Sequence, residues 1–206
     1  MLTIHSSSAF DMFTRLYSLW PCLVAGGQIL AVCGVLCGSL GYQFSLGELP
    51  CPLCVLQRLS FLLACGGSLG VLRSAGLSGG GIAGQVRGFA WCIFASFVGA
   101  AVSIRQILLH IVPPDLGYGP PVLGLHLYSW ALIVFCCLIL SSALGLLGVS
   151  DQPRAFPSVI TNGIGALVIV IGAVIALATF AMQGFNTFLP GDPQNYELFR
   201  QVGFQR

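Results

Sequence analysis

The chain has 206 residues, 56% of them hydrophobic and 7% charged, with a mean hydropathy of +0.94 and a formal net charge of +2. Soluble domains carry about 25% charged residues, so this composition defines an integral membrane protein. It gives no case for nucleic-acid binding, which needs a clustered basic face, and it leaves hydrophilic segments too short to bury a core of their own.

Residues 1–20 begin polar, with serines at Ser6 to Ser8, and continue with apolar residues at helical spacing around Phe10, Phe13 and Tyr17. This pattern predicts a short amphipathic helix lying in the membrane surface. The segment lacks the pattern of a cleaved signal peptide, so the first span is expected to serve as an uncleaved anchor. A spanning helix needs about 20 apolar residues. The apolar runs predict spans at about 21–44, 55–73, 88–111, 125–149 and 158–183. The expected fold is all-α: one integral membrane domain over 1–206, a four-helix core plus a fifth transmembrane helix. Pro21 suits the first turn of the first span.

The connections differ in character. Residues 74–87 are glycine-rich at Ser78 to Gly81, too loose and too far from any Lys-Thr or Lys-Ser to be a phosphate loop. Four prolines stiffen 112–121, and its glycines turn it. The tail, 185–206, is polar. All eight basic residues are Arg. With the N-terminus inside, Arg15, Arg73, Arg87 and Arg154 face the cytoplasm, and Arg200 and Arg206 face outward. That orientation puts Cys51 and Cys54 outside, which in a Gram-negative bacterium would be the periplasm. Tyr128 and Trp130 near the outer end of the fourth span fit an aromatic belt. Gln28, inside the first span, is expected to be satisfied by a neighbouring helix. Glu48 and His126 have no assignable role.

Of nine cysteines, Cys22, Cys33, Cys37, Cys65, Cys92, Cys136 and Cys137 fall within or at the ends of apolar runs, where they act as small hydrophobes. Cys51 and Cys54 stand apart, in Leu49-Pro50-Cys51-Pro52-Leu53-Cys54-Val55-Leu56-Gln57-Arg58 at an outer membrane surface. Two cysteines at this spacing can close a small disulfide ring, reactive where one thiolate is stabilised. Spacing alone also fits half a zinc site, but zinc needs two more ligands, and the nearby sequence offers no second pair; no metal is expected. Cys54 falls in the first turn of the second helix, where unpaired N–H groups and the helix dipole favour an anion. Arg58 lies four residues on, on the same face. A guanidinium one turn inside an apolar helix is costly and marks a functional position.

Cys51-Pro52-Leu53-Cys54 followed by Arg58, between the first two of several membrane helices, resembles the disulfide-bond formation protein B (DsbB) family. The short first outer loop and the Ser103-Ile104-Arg105-Gln106 turn near the outer end of helix three are similar too, and the likeness covers roughly 16–150. The resemblance implies a bacterial inner-membrane thiol:quinone oxidoreductase that reoxidises a periplasmic thioredoxin-like (DsbA-like) dithiol partner. Cys51 and Cys54 would form the redox disulfide, and Arg58 would sit at the quinone, ubiquinone or menaquinone. Cys51, nearer the loop, would be the sulfur the partner attacks. Cys54 would face the quinone, and Arg58 could hydrogen-bond a quinone carbonyl. Gln106 and His110, four apart on helix three, and the adjacent Arg105 would form a second wall; His110 could also relay protons, or be an interfacial histidine tied to a loop carbonyl.

Two departures qualify the resemblance. The better-known members of the family carry a second cysteine pair in a later periplasmic loop, and 112–125 and 185–206 contain none. Either the partner reaches Cys51–Cys54 directly, or a second protein supplies the pair, or the substrate differs. The fifth span and outward tail extend the four-helix pattern. A redox-inactive membrane scaffold of the same fold is the alternative; a small-solute transporter ranks last, since no inverted repeat is evident.

Overall fold

The computed structural model describes residues 5–76, 81–114, 117–151, 155–189 and 191–203, with side chains from Tyr17 onward. Among these residues the helices are α1 His5–Ser45, α2 Pro52–Gly76, α3 Gly81–Leu109, α4 Leu127–Leu147, α5 Ser158–Gln183 and the short α6 Glu197–Gln201. Five segments are long and apolar enough to cross a membrane: Tyr17–Ser45, Pro52–Ala75, Gly81–Leu109, Leu127–Leu147 and Ser158–Gln183. The protein is an all-α membrane bundle; the described residues contain no strand beyond one isolated bridge between Val122 and Leu125.

Each expected span overlaps one of these helices, with shifted ends. Pro21 lies inside α1, not in its first turn. A proline removes one helical N–H, but breaking the helix in an apolar medium would strand several backbone groups, so α1 runs through it. The segment before Pro21 is thus continuous with the first span and not a separate surface helix. Helix α2 starts at Pro52, the position where proline's missing N–H costs nothing, so Cys54 is its third residue. Ser103 to Gln106 form no turn; they continue α3, which ends at Leu109. Arg154, Arg206 and most of the glycine-rich 78–81 connection lie outside the described residues.

Helices α2 and α3 are held closest together. A Cβ on Gly67 would fall 2.6 Å from the Cys92 backbone nitrogen, and one on Gly88 would fall 2.8 Å from the Gly67 carbonyl oxygen. Lipid supplies no hydrophobic drive between helices, so close backbone approach through small residues gives the contact its dispersion energy. Helix α4 also packs on α3, the Phe135 ring filling the space over Gly99 and the Phe89 ring the space over Gly145. Phe61 of α2 stacks on Phe135 with centroids 4.0 Å apart. Gln28 is satisfied by neighbouring helices, as expected. Its amide donates to Ser141 Oγ and Ser142 Oγ, both at 2.8 Å, and its carbonyl accepts from Ser68 Oγ at 2.7 Å. Buried amides demand such partners where no water is present. Cys22, Cys33, Cys65 and Cys92 are buried among these helices, while Cys37, Cys136 and Cys137 face outward.

Gly67→Ala should therefore destabilise the bundle by about 1–3 kcal/mol, since a methyl group meets backbone and not a movable side chain. Unfolding in dodecyl sulfate mixtures, followed by circular dichroism, reads this directly. Gly66, whose Cβ would meet nothing within 4 Å, is the control and should tolerate alanine.

Candidate functional site

The ends of α1, α3 and α5 and the starts of α2 and α4 gather at one end of the bundle. The connection from α1 to α2 turns at Gly47 (φ 71°) and reaches Cys51. Cys51 is the N-cap of α2: its carbonyl oxygen accepts from the Val55 N–H at 3.0 Å, and its sulfur accepts from the Cys54 N–H at 3.2 Å. A sulfur thus takes the place usually filled by a serine or aspartate oxygen, answering one of the helix's orphan donors. The same bond brings Cys54 Sγ to 2.7 Å from Cys51 Sγ.

Gln106 of α3 closes the pair from behind. Its Nε2 donates to Cys51 Sγ at 3.3 Å and to Cys54 Sγ at 3.4 Å. Gln57 Nε2 donates to Gln106 Oε1 at 3.1 Å, which fixes the amide with its N–H groups toward the sulfurs. Both glutamines are buried. The Cys51 thiol is held well above the ordinary thiol range, first by its hydrogen bond with the Cys54 sulfur and next by burial.

In front of the pair lies a crevice of 430 Å³ between α1, α2 and α4. Its walls are largely carbon, from Val35, Leu36, Phe61, Ala131 and Val134, and Cys54 and Arg58 open onto it. Arg58 is 7% exposed. Its NH1 donates to Gln43 Oε1 at 2.7 Å and its NH2 to the Ser39 carbonyl at 3.0 Å. Both partners are neutral, so the cation's field is not cancelled by them. Tyr118 covers the outer side, its hydroxyl donating to the Leu49 carbonyl at 2.5 Å. Burial raises the Tyr118 phenol above its ordinary range.

Cys51, Cys54, Arg58 and Gln106 therefore come together. Arg105 does not: it is exposed on α3 and absent from the crevice lining, about 100° around the helix from Gln106. Ser103 donates to the Gly99 carbonyl within its own helix at 3.0 Å. His110 also lies off the crevice, half-buried with its ring stacked 5.9 Å from that of Tyr128. Cys51 is 6% exposed, less open than its place next to the loop suggested, and Leu49 and Pro50 before it are buried as well.

Several residues of the site are not placed there by the sequence reading. Tyr128 is buried, and both it and Trp130 line the crevice instead of a lipid-facing belt; Trp130 Nε1 donates to the Val122 carbonyl at 2.9 Å. Glu48 also lines the crevice, and His126 stacks on Tyr128 at 5.2 Å. Gln43 and Gln57 carried a signal, as amides in apolar helices next to the motif. Among the described residues no three His, Cys, Asp or Glu gather as a metal site.

A dithiol pair capping a membrane helix, beside an apolar crevice that holds a guanidinium, defines a multi-pass membrane protein equipped for thiol–disulfide chemistry. The family model for disulfide bond formation protein DsbB matches residues 22–118. Disulfide bond formation protein B 1 of Pseudomonas fluorescens is 29% identical over 152 residues, covering 58% of this chain and 88% of that protein. Disulfide bond formation protein B of Pseudomonas syringae is 30% identical over 141 residues, 52% of this chain and 82% of that one. The Chromobacterium violaceum protein of the same name is 36% identical over 92 residues, 42% and 52% of the two chains. No solved structure matches. The chain belongs to the DsbB family and is a membrane disulfide-bond formation protein.

The raised Cys51 thiol sets a pH signature. A thiol with an elevated pKa keeps its proton through neutral and mildly alkaline pH. In the reduced protein, alkylation of Cys51 by iodoacetamide should be roughly tenfold or more slower at pH 8 than in the detergent-unfolded chain. Its rate should still be climbing above pH 9, where the unfolded cysteine levels off. Peptide mapping by mass spectrometry across pH 7–10 reads both.

Proposed function

We propose that this protein is a thiol:quinone oxidoreductase of the bacterial inner membrane, with Cys51 and Cys54 on the periplasmic side. It oxidises a thioredoxin-like dithiol partner and passes the electrons to a membrane quinone. The observation that carries this reading is that Cys54 and Arg58 open onto one apolar crevice, with the second sulfur directly behind. Its volume falls in the range of about 300–1,000 Å³ typical of small-molecule sites. Carbon walls with a single buried cation suit a flat apolar ring bearing carbonyl acceptors, which supports a quinone as the occupant. A bound quinone supplies a two-electron, two-proton acceptor.

The chain's own residues carry the rest. A partner thiolate attacks Cys51 Sγ, forming a mixed disulfide and breaking the Cys51–Cys54 bond. Cys54 leaves as a thiolate at the first turn of α2, where the helix dipole and the Gln106 N–H groups favour the charge. The partner's second thiol then attacks its own mixed-disulfide sulfur and releases Cys51. The partner loses two electrons and two protons, and Cys51 and Cys54 gain them. The same two electrons and two protons then leave for the acceptor, and the Cys51–Cys54 bond reforms. Arg58 holds positive charge against the crevice wall, where negative charge develops on reduction. Because Cys51 is buried, the partner must displace the 46–50 connection to reach it. Tyr118 ties that connection down through Leu49.

The test uses purified protein, a reduced thioredoxin-like dithiol protein and a decyl-tailed benzoquinone. Wild type should oxidise the dithiol beyond one equivalent only when quinone is present, and Cys51→Ser and Cys54→Ser should each abolish turnover. Arg58→Ala should lower kcat/KM for quinone roughly 10- to 100-fold, the worth of a charged hydrogen bond. Wild-type protein that oxidises no dithiol and holds both cysteines as inert thiols would instead mark a redox-inactive scaffold.

A further inference from the structure

We infer that the C-terminal tail is part of the crevice machinery, with Tyr196 as a positioning residue for Arg58; this rests on the quinone-site reading above. Tyr196 lies beyond the residues that match the family model. Its hydroxyl accepts from Gln43 Nε2 at 3.2 Å, and the other end of that amide, Oε1, accepts from Arg58 NH1 at 2.7 Å. Gln43 is 1% exposed, so a misdirected amide has no water to repair it. An amide has two orientations of nearly equal shape. One turns its oxygen to the guanidinium; the other turns N–H donors against N–H donors. The Tyr196 hydroxyl selects the first by giving Nε2 an acceptor. Arg58 is thereby held along its Gln43 side, with the Ser39 carbonyl fixing the other nitrogen.

The tail is built to deliver that hydroxyl. Helix α5 ends at Gly184 with φ 61°, and the chain folds back so that Gln201 meets the turn it has just left. Gln201 Oε1 accepts from the Phe185 N–H at 2.9 Å, and Gln201 Nε2 donates to Asn186 Oδ1 at 3.3 Å. Residue 184 has φ 61° and ψ −141°, a conformation open to glycine, so the fold-back requires glycine there on dihedral grounds. The clasp fixes α6, and Tyr196 immediately precedes α6.

The experiment measures equilibrium binding of a decyl-tailed benzoquinone to full-length protein by quenching of tryptophan fluorescence, Trp130 being in the crevice wall. KM and kcat are measured alongside. Tyr196→Phe should weaken binding about three- to tenfold, the worth of one buried hydrogen bond. KM should rise in step, and stoichiometric disulfide exchange with the dithiol partner in the absence of quinone should be unchanged. In a Gln43→Ala background, Tyr196→Phe should have no further effect, since residues acting through one another are not additive. Wild-type affinity in Tyr196→Phe, or an undiminished effect in the Gln43→Ala background, would overturn the proposal. If Tyr196→Phe does not fold, Gln201→Ala decides: weaker quinone binding supports the tail's role, and unaltered binding overturns it. Wild-type protein that binds no quinone would instead remove the parent reading.

Discussion

A guanidinium inside an apolar bundle has to be met by acceptors, and much of the Cys51 end of this molecule follows from how Arg58 is met. Its partners are a side-chain amide and a backbone carbonyl from the last turns of α1, neither of them charged. They draw α1 against α2 at the level of Cys54 and leave the cation's charge directed into the space between α1, α2 and α4. A carboxylate partner would have neutralised the site. Neutral acceptors satisfy the hydrogen bonds and keep the field. That choice makes the crevice a place where negative charge can gather.

The sulfur pair depends on a second constraint, the start of α2. Cys51 serves as both a helix cap and half of the dithiol, so the geometry of the reactive pair is inherited from the geometry of a helix end. The glutamine pair behind it, Gln57 to Gln106, orients the donors toward both sulfurs. None of this needs long-range electrostatics. It needs α2 and α3 to stay in fixed register over the distance from Gly67 to Cys54, and the close crossing at Gly67 and Gly88 supplies that.

The five spans, the Cys51–Cys54 motif and the depth of Arg58 were readable because each rests on local rules: apolar run length, helix-start chemistry, and the cost of a charge in lipid. Gln106 was readable as a neighbour of the site, but its distinction from Arg105 was not. That distinction depends on the rotation of α3, which is set by packing against α2 and α4. Tyr128 and Trp130 look like belt residues from position alone; burial by the folded-back 117–125 segment turns them inward. Tyr196 gave no signal at all, because a polar tail carries no periodicity that says where it returns. Pro21 was misplaced because a helix start signal was read where the bilayer simply carries the helix onward.

The crossing of α2 over α3 also decides which way the crevice can give. Its α2 wall is braced by the close approach of α2 and α3 at Gly67 and Gly88 and by Phe61 stacked on Phe135, so it is the stiffer side. The facing walls are α1 and the 118–123 segment, where Val35, Gly38 and Leu123 are separated from the bundle's tight seam. An inhibitor built outward from the cation should gain fit by growing toward those softer walls, and lose it by growing toward Phe61. Selectivity would then be written in the residues of the α1 and 118–123 walls, and not at the sulfur end.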